Sequence, residues 1–298
     1  MIKTKRVVSI VAALTLALAC IASFAGCGSQ SSEPQGAKDV IERYGQANPD
    51  NFNMKGDVAL SMGVSGMTMS MPMSMDFDVN GRNYHGTYSL SLFGAEAKGE
   101  MYAVEKDGKI LTYSKTDTSG SMFGMTASSG DSEWTVTEME EGDLSSIEAL
   151  ANELIEKASF EKTENGYLVS FKGEDVYAVL MKAISESETS AASAVSEIPQ
   201  EITDFIKALN IDLAFDKDCN LTEVSIPETK SSLTIEGQTM DIEISSNLAI
   251  SKHGEIAEIV VPDDVVNSAK PTSSVVDAAG IAAEASESSA SAEASKAA

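Results

Sequence analysis

The stretch Met67–Val79, which reads MTMSMPMSMDFDV, decides the fold class of this chain. Its large apolar residues occupy every second position, and Thr, Ser, Pro and Asp stand between them. Because successive side chains of a β-strand point to opposite faces, this alternation predicts a long strand with one apolar face. Asn80-Gly81 follows at once and is a strong signal for a two-residue hairpin turn. The stretch therefore predicts an antiparallel β-hairpin.

Further strands are predicted on both sides of this hairpin. They lie at residues 58–64, 84–92, 95–105, 109–115, 211–215, 221–226, 232–236, 240–251 and 255–261, and near Trp134. The first reversal is left open by the pattern. The chain turns at 63–66, or Pro72 marks a bulge or an edge in one longer strand.

Helical spacing appears in the middle of the chain. Apolar residues recur three and four positions apart over 145–158, 174–185 and 199–209, and a shorter helix is expected at 37–47. Ser145 and Glu148 form a capping-box pattern at the start of the first segment. Strands, then helices, then strands predict an α+β fold in which helices lie on one face of an antiparallel sheet.

Cys27 predicts where the protein is located. Residues 1–6 are basic, residues 7–25 are apolar and uncharged, and Phe24-Ala25-Gly26 precedes the cysteine. This order is typical of an export signal, here residues 1–26, that is cut before a lipidated cysteine. Cys20 is the weaker alternative, because its apolar run is shorter and more apolar residues follow it. A diacylated Cys27 would hold the protein at the extracytoplasmic side of a cell membrane.

Charge and composition restrict the partners and the domain limits. Without residues 1–26 the chain carries 18 Lys and Arg against 46 Asp and Glu, which excludes nucleic acid as an expected partner. Residues 27–36 form a Ser-rich tether, and 37–262 are long enough for a single domain. Residues 263–298 are rich in Ala, Ser and Glu, so we expect a disordered tail.

No catalytic pattern is present in the sequence. His85 and His253 are the two imidazoles, and each stands alone among strand or turn residues. Cys219 has no intramolecular partner after processing and lies in a turn-rich string from Asp216 to Asn220. We therefore expect a protein that is not an enzyme and that needs no cofactor.

The five methionines at alternate positions from Met67 to Met75 allow three interpretations. They can fill an ordinary core, line a cavity that accepts acyl chains, or bind Cu(I), for which thioethers are soft ligands. Same-face neighbours on one strand lie about 7 Å apart, so a shared ion would need bent side chains or a cross-strand partner. We expect no metal site. The residues predicted to line an apolar space are Met67, Met69, Met71, Met73, Met75, Leu90, Leu92 and Met101.

The arrangement resembles a known group of proteins. The short helix at 37–47, the long alternating strands, the segment Met101–Gly108 followed by Trp134, and a closing strand that ends at Val261-Pro262 are similar to an uncharacterised family of bacterial lipoproteins. That family resembles the Lol-type lipoprotein carriers and the mycobacterial lipid-carrying lipoproteins. The resemblance implies a half-open β-barrel whose concave face is covered by helices and can hold an acyl chain.

Two functions follow as expectations. The first is a membrane-anchored lipoprotein that binds a lipid or another amphiphile between the curved sheet and the helices. The second is a structural or protein-interaction lipoprotein of the cell envelope, with a filled core and no small ligand. The volume of an apolar cavity would distinguish them.

Overall fold

The structure is a computed structural model that describes residues 33–47, 50–64, 67–92, 95–122, 125–128, 133–140, 152–186, 200–235 and 238–271. Within these ranges the chain forms one large, curved and unclosed sheet with a few helices. Neighbouring strands are antiparallel, except that the last, two-residue strand is parallel to its neighbour. The predicted α+β class and antiparallel sheet are confirmed at this level.

The described residues form thirteen strands. They are β1 Asn51–Val64, β2 Met67–Asn80, β3 Asn83–Leu92, β4 Ala95–Lys106, β5 Lys109–Met122, β6 Met125–Ser128, β7 Thr135–Glu140, β8 Ser159–Lys162, β9 Gly166–Phe171, β10 Ile211–Asp216, β11 Leu221–Ile235, β12 Gln238–Ser251 and β13 Lys270–Pro271. The helices are α1 Ala37–Gln46, α2 at 152–157, α3 Gly173–Glu186, α4 Gln200–Ala208 and α5 Asp263–Ser268. The order across the sheet is β13-β7-β5-β4-β3-β2-β1-β12-β11-β10-β9-β8, and β6 pairs with β5.

β1 and β2 form a hairpin whose turn lies within 63–66, one of the two positions that the sequence left open. β1 and β2 pair along their whole lengths, and the last pair is Val64 with Met67. Pro72 lies inside β2, at the point where the edge of β2 that faces β3 becomes unpaired. The β2–β3 ladder begins at Met73, opposite Leu90, and includes none of residues 67–72. A proline has no amide hydrogen to donate to a neighbouring strand, which fits its place at the end of this ladder.

Residues 255–261, predicted as a closing strand, form no strand. Strand β12, which precedes them, already pairs with β1 on one side and with β11 on the other. The segment therefore cannot pair with β12, although it is rich in β-branched residues. The prediction was wrong because local sequence carries no information about which strand edges are already occupied.

The main core lies between the helices and one face of the sheet. We call this the inner face; it carries Met71, Leu213 and Leu248, which belong to one buried cluster. Tyr44 of α1 packs edge-on against Phe215 of β10, with ring centroids 5.8 Å apart. The buried helix residues of this core are Ala37, Val40, Ile41, Tyr44, Leu154, Ile155, Val176, Val179, Phe205 and Ile206. The helices thus share one core with β1, β2 and β9–β12.

Glycines permit close approaches within the sheet. A Cβ atom at Gly56 would lie 1.9 Å from the backbone oxygen of Asn247 on β12. At Gly86, a Cβ atom would lie 2.2 Å from the ring of Phe77. Glycines inside strands commonly mark such approaches and allow a sheet to bend more strongly. At these two positions the packing of the sheet therefore leaves no room for a side chain.

The opposite, outer face carries a second cluster, which we call the outer core. Tyr113, Val261 and Val265 are buried there, and partly buried neighbours surround them: Tyr102, Val104, Leu111, Trp134, Val136 and Ala269. The C-terminal segment, residues 252–271, reaches this cluster from the end of β12. The amide of Lys270 donates to the carbonyl of Trp134, and Lys270–Pro271 pairs with β7.

This segment corrects the predicted domain limit. Residues 263–271 were expected to belong to a disordered tail, but Asp263–Ser268 is helical and Val265 is only 4% exposed. The composition of residues 263–298 is dominated by the Ala, Ser and Glu that follow residue 271. The short apolar segment at the start of this range therefore does not show in the average. The folded domain runs at least nine residues past Pro262.

Several predictions fall outside the described residues. They concern the signal segment 1–26, Cys20, Cys27, most of the tether, the first part of the helix predicted at 145–158, and the tail beyond 271. The helices predicted at 174–185 and 199–209 are confirmed as α3 and α4. Among the helices that the structure describes, each is too short or too polar to cross a bilayer.

Candidate functional site

The predicted lining residues of β2 lie on the inner face. Met71 is 9% exposed and belongs to the main core. Met69, Met75 and Leu90 are half-buried and pack against that core. The exposed positions between them are occupied by Thr68, Ser70, Pro72 and Ser74. In β2, the alternation read from the sequence thus places methionine inward and polar residues outward.

The remaining predicted residues are placed less uniformly. Met73 and Met101 are half-buried. The backbone of Met67 pairs with Val64, and that of Leu92 pairs with Ala95. The side chains of Met67 and Leu92 lie outside the described part of the chain. Six of the eight predicted side chains can therefore be located, and all six share the inner face.

Cross-strand pairing extends this face from β2 to β4. Met73 pairs with Leu90, which pairs in turn with Ala97. In the next inward row, Met75 pairs with Tyr88, which pairs with Gly99. Directly opposed residues of neighbouring strands lie side by side on one face. The two rows form a continuous surface that begins beside the main core and crosses three strands.

Tyr88 is a residue of this surface that the sequence did not single out. A Cβ atom at Gly99 would lie 2.1 Å from the Tyr88 ring, so the ring lies directly over the glycine. Its hydroxyl is 2.7 Å from the Thr116 hydroxyl on β5. The tyrosine thus spans β4 and provides a polar end to an otherwise apolar row.

Strand β4 contributes small residues to the same face. Ala95, Ala97, Gly99 and Ala103 are all buried, and Met101 is the one larger residue among these alternate positions. This run of small residues at every second position is visible in the sequence. It is the signal that could have identified the part that β4 contributes to the surface. We call the surface formed by Met73, Met75, Tyr88, Leu90 and β4 the apolar patch.

The two faces differ sharply in charge. From Phe52 to Ala103, the described inward positions of β1–β4 carry no charged residue. The ions of these strands are on the outer face, apart from Glu105, which follows the inward register at the exposed end of β4. On the outer face, Lys55 donates to Asp76 at 2.9 Å, and Asn53 donates to both Asp76 and Asp78. The hydrogen bond from Asn53, followed by that from Lys55, lowers the pKa of Asp76 below its ordinary value.

The two histidines lie apart from the apolar patch. His85 is on the outer face, where its Nε2 atom is 3.0 Å from Glu100 and its ring stacks on Tyr102 at 4.2 Å. Burial and the neighbouring Glu100 raise the pKa of Tyr102 to about 12. His253 follows β12, and its Nε2 atom donates to the carbonyl of Leu221 at 2.8 Å. Each imidazole thus has a partner that explains its position structurally.

Comparison with known proteins identifies the family. The chain matches a family of unknown function, DUF6612, over residues 37–270. The protein belongs to this family. The matched range includes α5 and ends within β13, in agreement with a domain that continues past Pro262. No curated protein matches the chain.

Among solved structures, a DUF1329 family protein from Desulfovibrio piger is similar to this chain. The sequence identity is 11%, and the similarity covers 72% of this chain and 90% of that one. The TM-score is 0.23.

Proposed function

We propose that this protein is a lipoprotein, anchored through Cys27 at the extracytoplasmic side of a bacterial cell membrane, and that it binds a lipid or another amphiphile on its inner sheet face. In this proposal the sheet is a half-open barrel, the helices cover its concave face, and the protein is not an enzyme. The observation that carries the proposal is the lack of charge at the described inward positions from Phe52 to Ala103, together with the half-buried apolar patch beside the main core.

The composition of the patch suits an acyl chain. Methionine side chains are flexible and polarizable, so they adapt to ligands of varied shape. An ionised carboxylate or ammonium in such a place would be expensive to bury, and none occurs at the described inward positions from Phe52 to Ala103. Tyr88 and Thr116 add hydroxyl groups at the β5 side. This sequence of apolar and polar groups matches an amphiphile with a hydrocarbon part and a neutral polar end.

The described end of the tether shows which edge of the domain an anchor at Cys27 would lie near. Pro34 is buried, and Glu33 forms an ion pair with Lys162 at the end of β8. Only five residues lie between Cys27 and Glu33, so the distance between the two is at most about 22 Å at ~3.3–3.6 Å per residue step. A lipid on Cys27 would therefore keep the β8 edge of the domain close to the membrane surface.

The rival function is a structural or protein-interaction lipoprotein with a filled core. One observation favours it: Met69, Met71, Met75 and Leu90 contact the main core, as ordinary core residues do. Met73 and Met101 are the residues that decide between the two functions, since neither belongs to that cluster or to its packed neighbours.

Binding of a fluorescent fatty acid tests the ligand. We expect saturable binding by the chain from Glu33 onward, and we expect Met73→Trp and Met101→Trp to weaken it by filling the patch. Ser74→Trp places the same ring on the outer face and is the matched control. No saturable binding, or equal effects of all three substitutions, would favour the filled core.

Metabolic labelling with a palmitate analogue tests the anchor separately. Cys27→Ser should abolish labelling and release the protein from the membrane fraction, whereas Cys20→Ser should leave both unchanged. Labelling that persists in Cys27→Ser would refute the assignment of the lipidated residue.

A further inference from the structure

We propose that Met62, Met69 and Met71 form a binding site for Cu(I), a soft monovalent cation. The site is separate from the apolar patch, because its residues lie toward the Val64–Met67 end of the β1–β2 hairpin. The proposal does not depend on lipid binding.

The pairing register brings the three thioethers together. Met62 of β1 is the direct partner of Met69 of β2. Directly opposed residues have Cβ atoms about 4.5–5.5 Å apart, and diagonal neighbours at about 7–8 Å are still within reach of long side chains. Met71 is the diagonal neighbour of Met62 and the same-face neighbour of Met69. The cross-strand partner that a shared ion requires is therefore present.

Burial shows that the three residues meet in one environment. Met62 is 6% exposed and Met71 is 9% exposed, and both belong to the main core. Met69 is half-buried and packs against the same core. A fourth methionine, Met240 of β12, is half-buried, packs against this core and pairs with Val64. Four thioethers thus gather at one end of the inner face.

The chemistry of this donor set selects the ion. Thioether sulfur is a soft, neutral ligand, which suits Cu(I) and disfavours hard divalent ions that need carboxylate or water oxygens. The described residues hold no group of three His, Cys, Asp or Glu side chains that could bind a metal. An uncharged apolar site tolerates a single positive charge better than a double one, since the cost of desolvating an ion rises steeply with its charge.

The edge of β2 gives the ion a route to the site. Met69 belongs to the part of β2, residues 67–72, that is absent from the β2–β3 ladder. Its side chain is half-buried, whereas Met62 and Met71 are buried. An ion would therefore meet Met69 first and then the two inner thioethers. The formal net charge of −25 favours the approach of cations to the protein as a whole.

The experiment is competition for Cu(I) between the full-length chain in detergent and a chromogenic Cu(I) chelator, with ascorbate keeping the copper reduced. We expect about one Cu(I) bound per chain. Met62→Leu and Met69→Leu should each weaken binding at least about tenfold, because leucine keeps nearly the same volume but removes the sulfur. X-ray absorption of the complex should show a first shell of sulfur alone.

Met54→Leu is the matched control. Met54 is a half-buried β1 residue that packs against the same core, but its direct partners are Phe77 and Ile250. The Met54→Leu variant should bind Cu(I) as the wild type does. Thermal unfolding should show that this variant, Met62→Leu and Met69→Leu all remain folded. Three results would overturn the proposal: no Cu(I) retained by the wild type, binding insensitive to Met62→Leu and Met69→Leu, or an equal loss in Met54→Leu. Insensitivity to both substitutions would point instead to a thiol such as that of Cys219.

Discussion

Replacement of Val265 by Asp tests how the C-terminal segment is held on the sheet. Val265 is 4% exposed in the outer core, whereas its neighbour Val266 is 44% exposed. The same substitution at the two positions changes charge, helix propensity and side-chain volume equally. The difference between the variants therefore isolates the contribution of burial.

The magnitude follows from what the outer core buries. A fully buried valine contributes about 1.5–3 kcal/mol relative to an exposed one. An ionised carboxylate in place of the Val265 side chain could not remain in this apolar cluster without a larger penalty, so the segment should detach. Detachment exposes Val261 as well as the substituted position, and the burial lost by these two valines amounts to about 3–6 kcal/mol. Val265→Asp should thus lower the free energy of unfolding by at least about 1.5 kcal/mol, and Val266→Asp by less than about 0.5 kcal/mol.

Trp134 provides the assay, because it is the single tryptophan of the chain and packs against the outer core. Its ring centroid lies 5.8 Å from that of Tyr102. In the folded Val265→Asp variant we expect its emission to shift to longer wavelength, while far-UV circular dichroism keeps the signal of the sheet. Urea unfolding then gives the free energies. Equal midpoints and equal Trp134 emission in the two variants would refute the view that Val265 holds the segment.

Three further predictions concern the sheet itself. Met71→Asp should cost several kcal/mol in urea unfolding because it places a carboxylate in the main core, whereas Ser70→Asp on the outer face should be nearly silent; similar costs would contradict the assignment of the faces. Gly56→Ala should lower the melting temperature strongly, since its Cβ would lie 1.9 Å from a backbone oxygen, while Gly63→Ala, whose nearest contact would be 3.5 Å, should have little effect. Asp76 has a lowered pKa, so its contribution to stability is complete above the ordinary value of 3.8 and is lost as the pH falls through the lower folded value. Asp76→Asn should therefore flatten the acid limb of a stability–pH curve below that point. Asp57→Asn, an exposed carboxylate of the same face, serves as the comparison, and an unchanged acid limb in Asp76→Asn would count against the role of the Asn53 and Lys55 contacts.

The local part of the fold could be read from the sequence. The period of two in Met67–Val79 set the face of each residue in β2, and Asn80-Gly81 set the reversal into β3. Apolar residues at helical spacing marked α3 and α4. These signals are reliable because they depend on backbone geometry within a few residues, which every copy of the pattern shares.

The neighbours of each strand were decided only by the tertiary structure. Nothing in the local pattern places Met62 opposite Met69, or Tyr88 over Gly99, because these contacts depend on register across strands. The same holds for residues 255–261, which have the composition of a strand but cross to the outer core, since both edges of β12 are already paired. A side chain's face is fixed by its own strand, whereas its partners are fixed by competition among all strands for the same edges. For this protein, the sequence alone determined which residues face inward, and tertiary packing determined what they meet there.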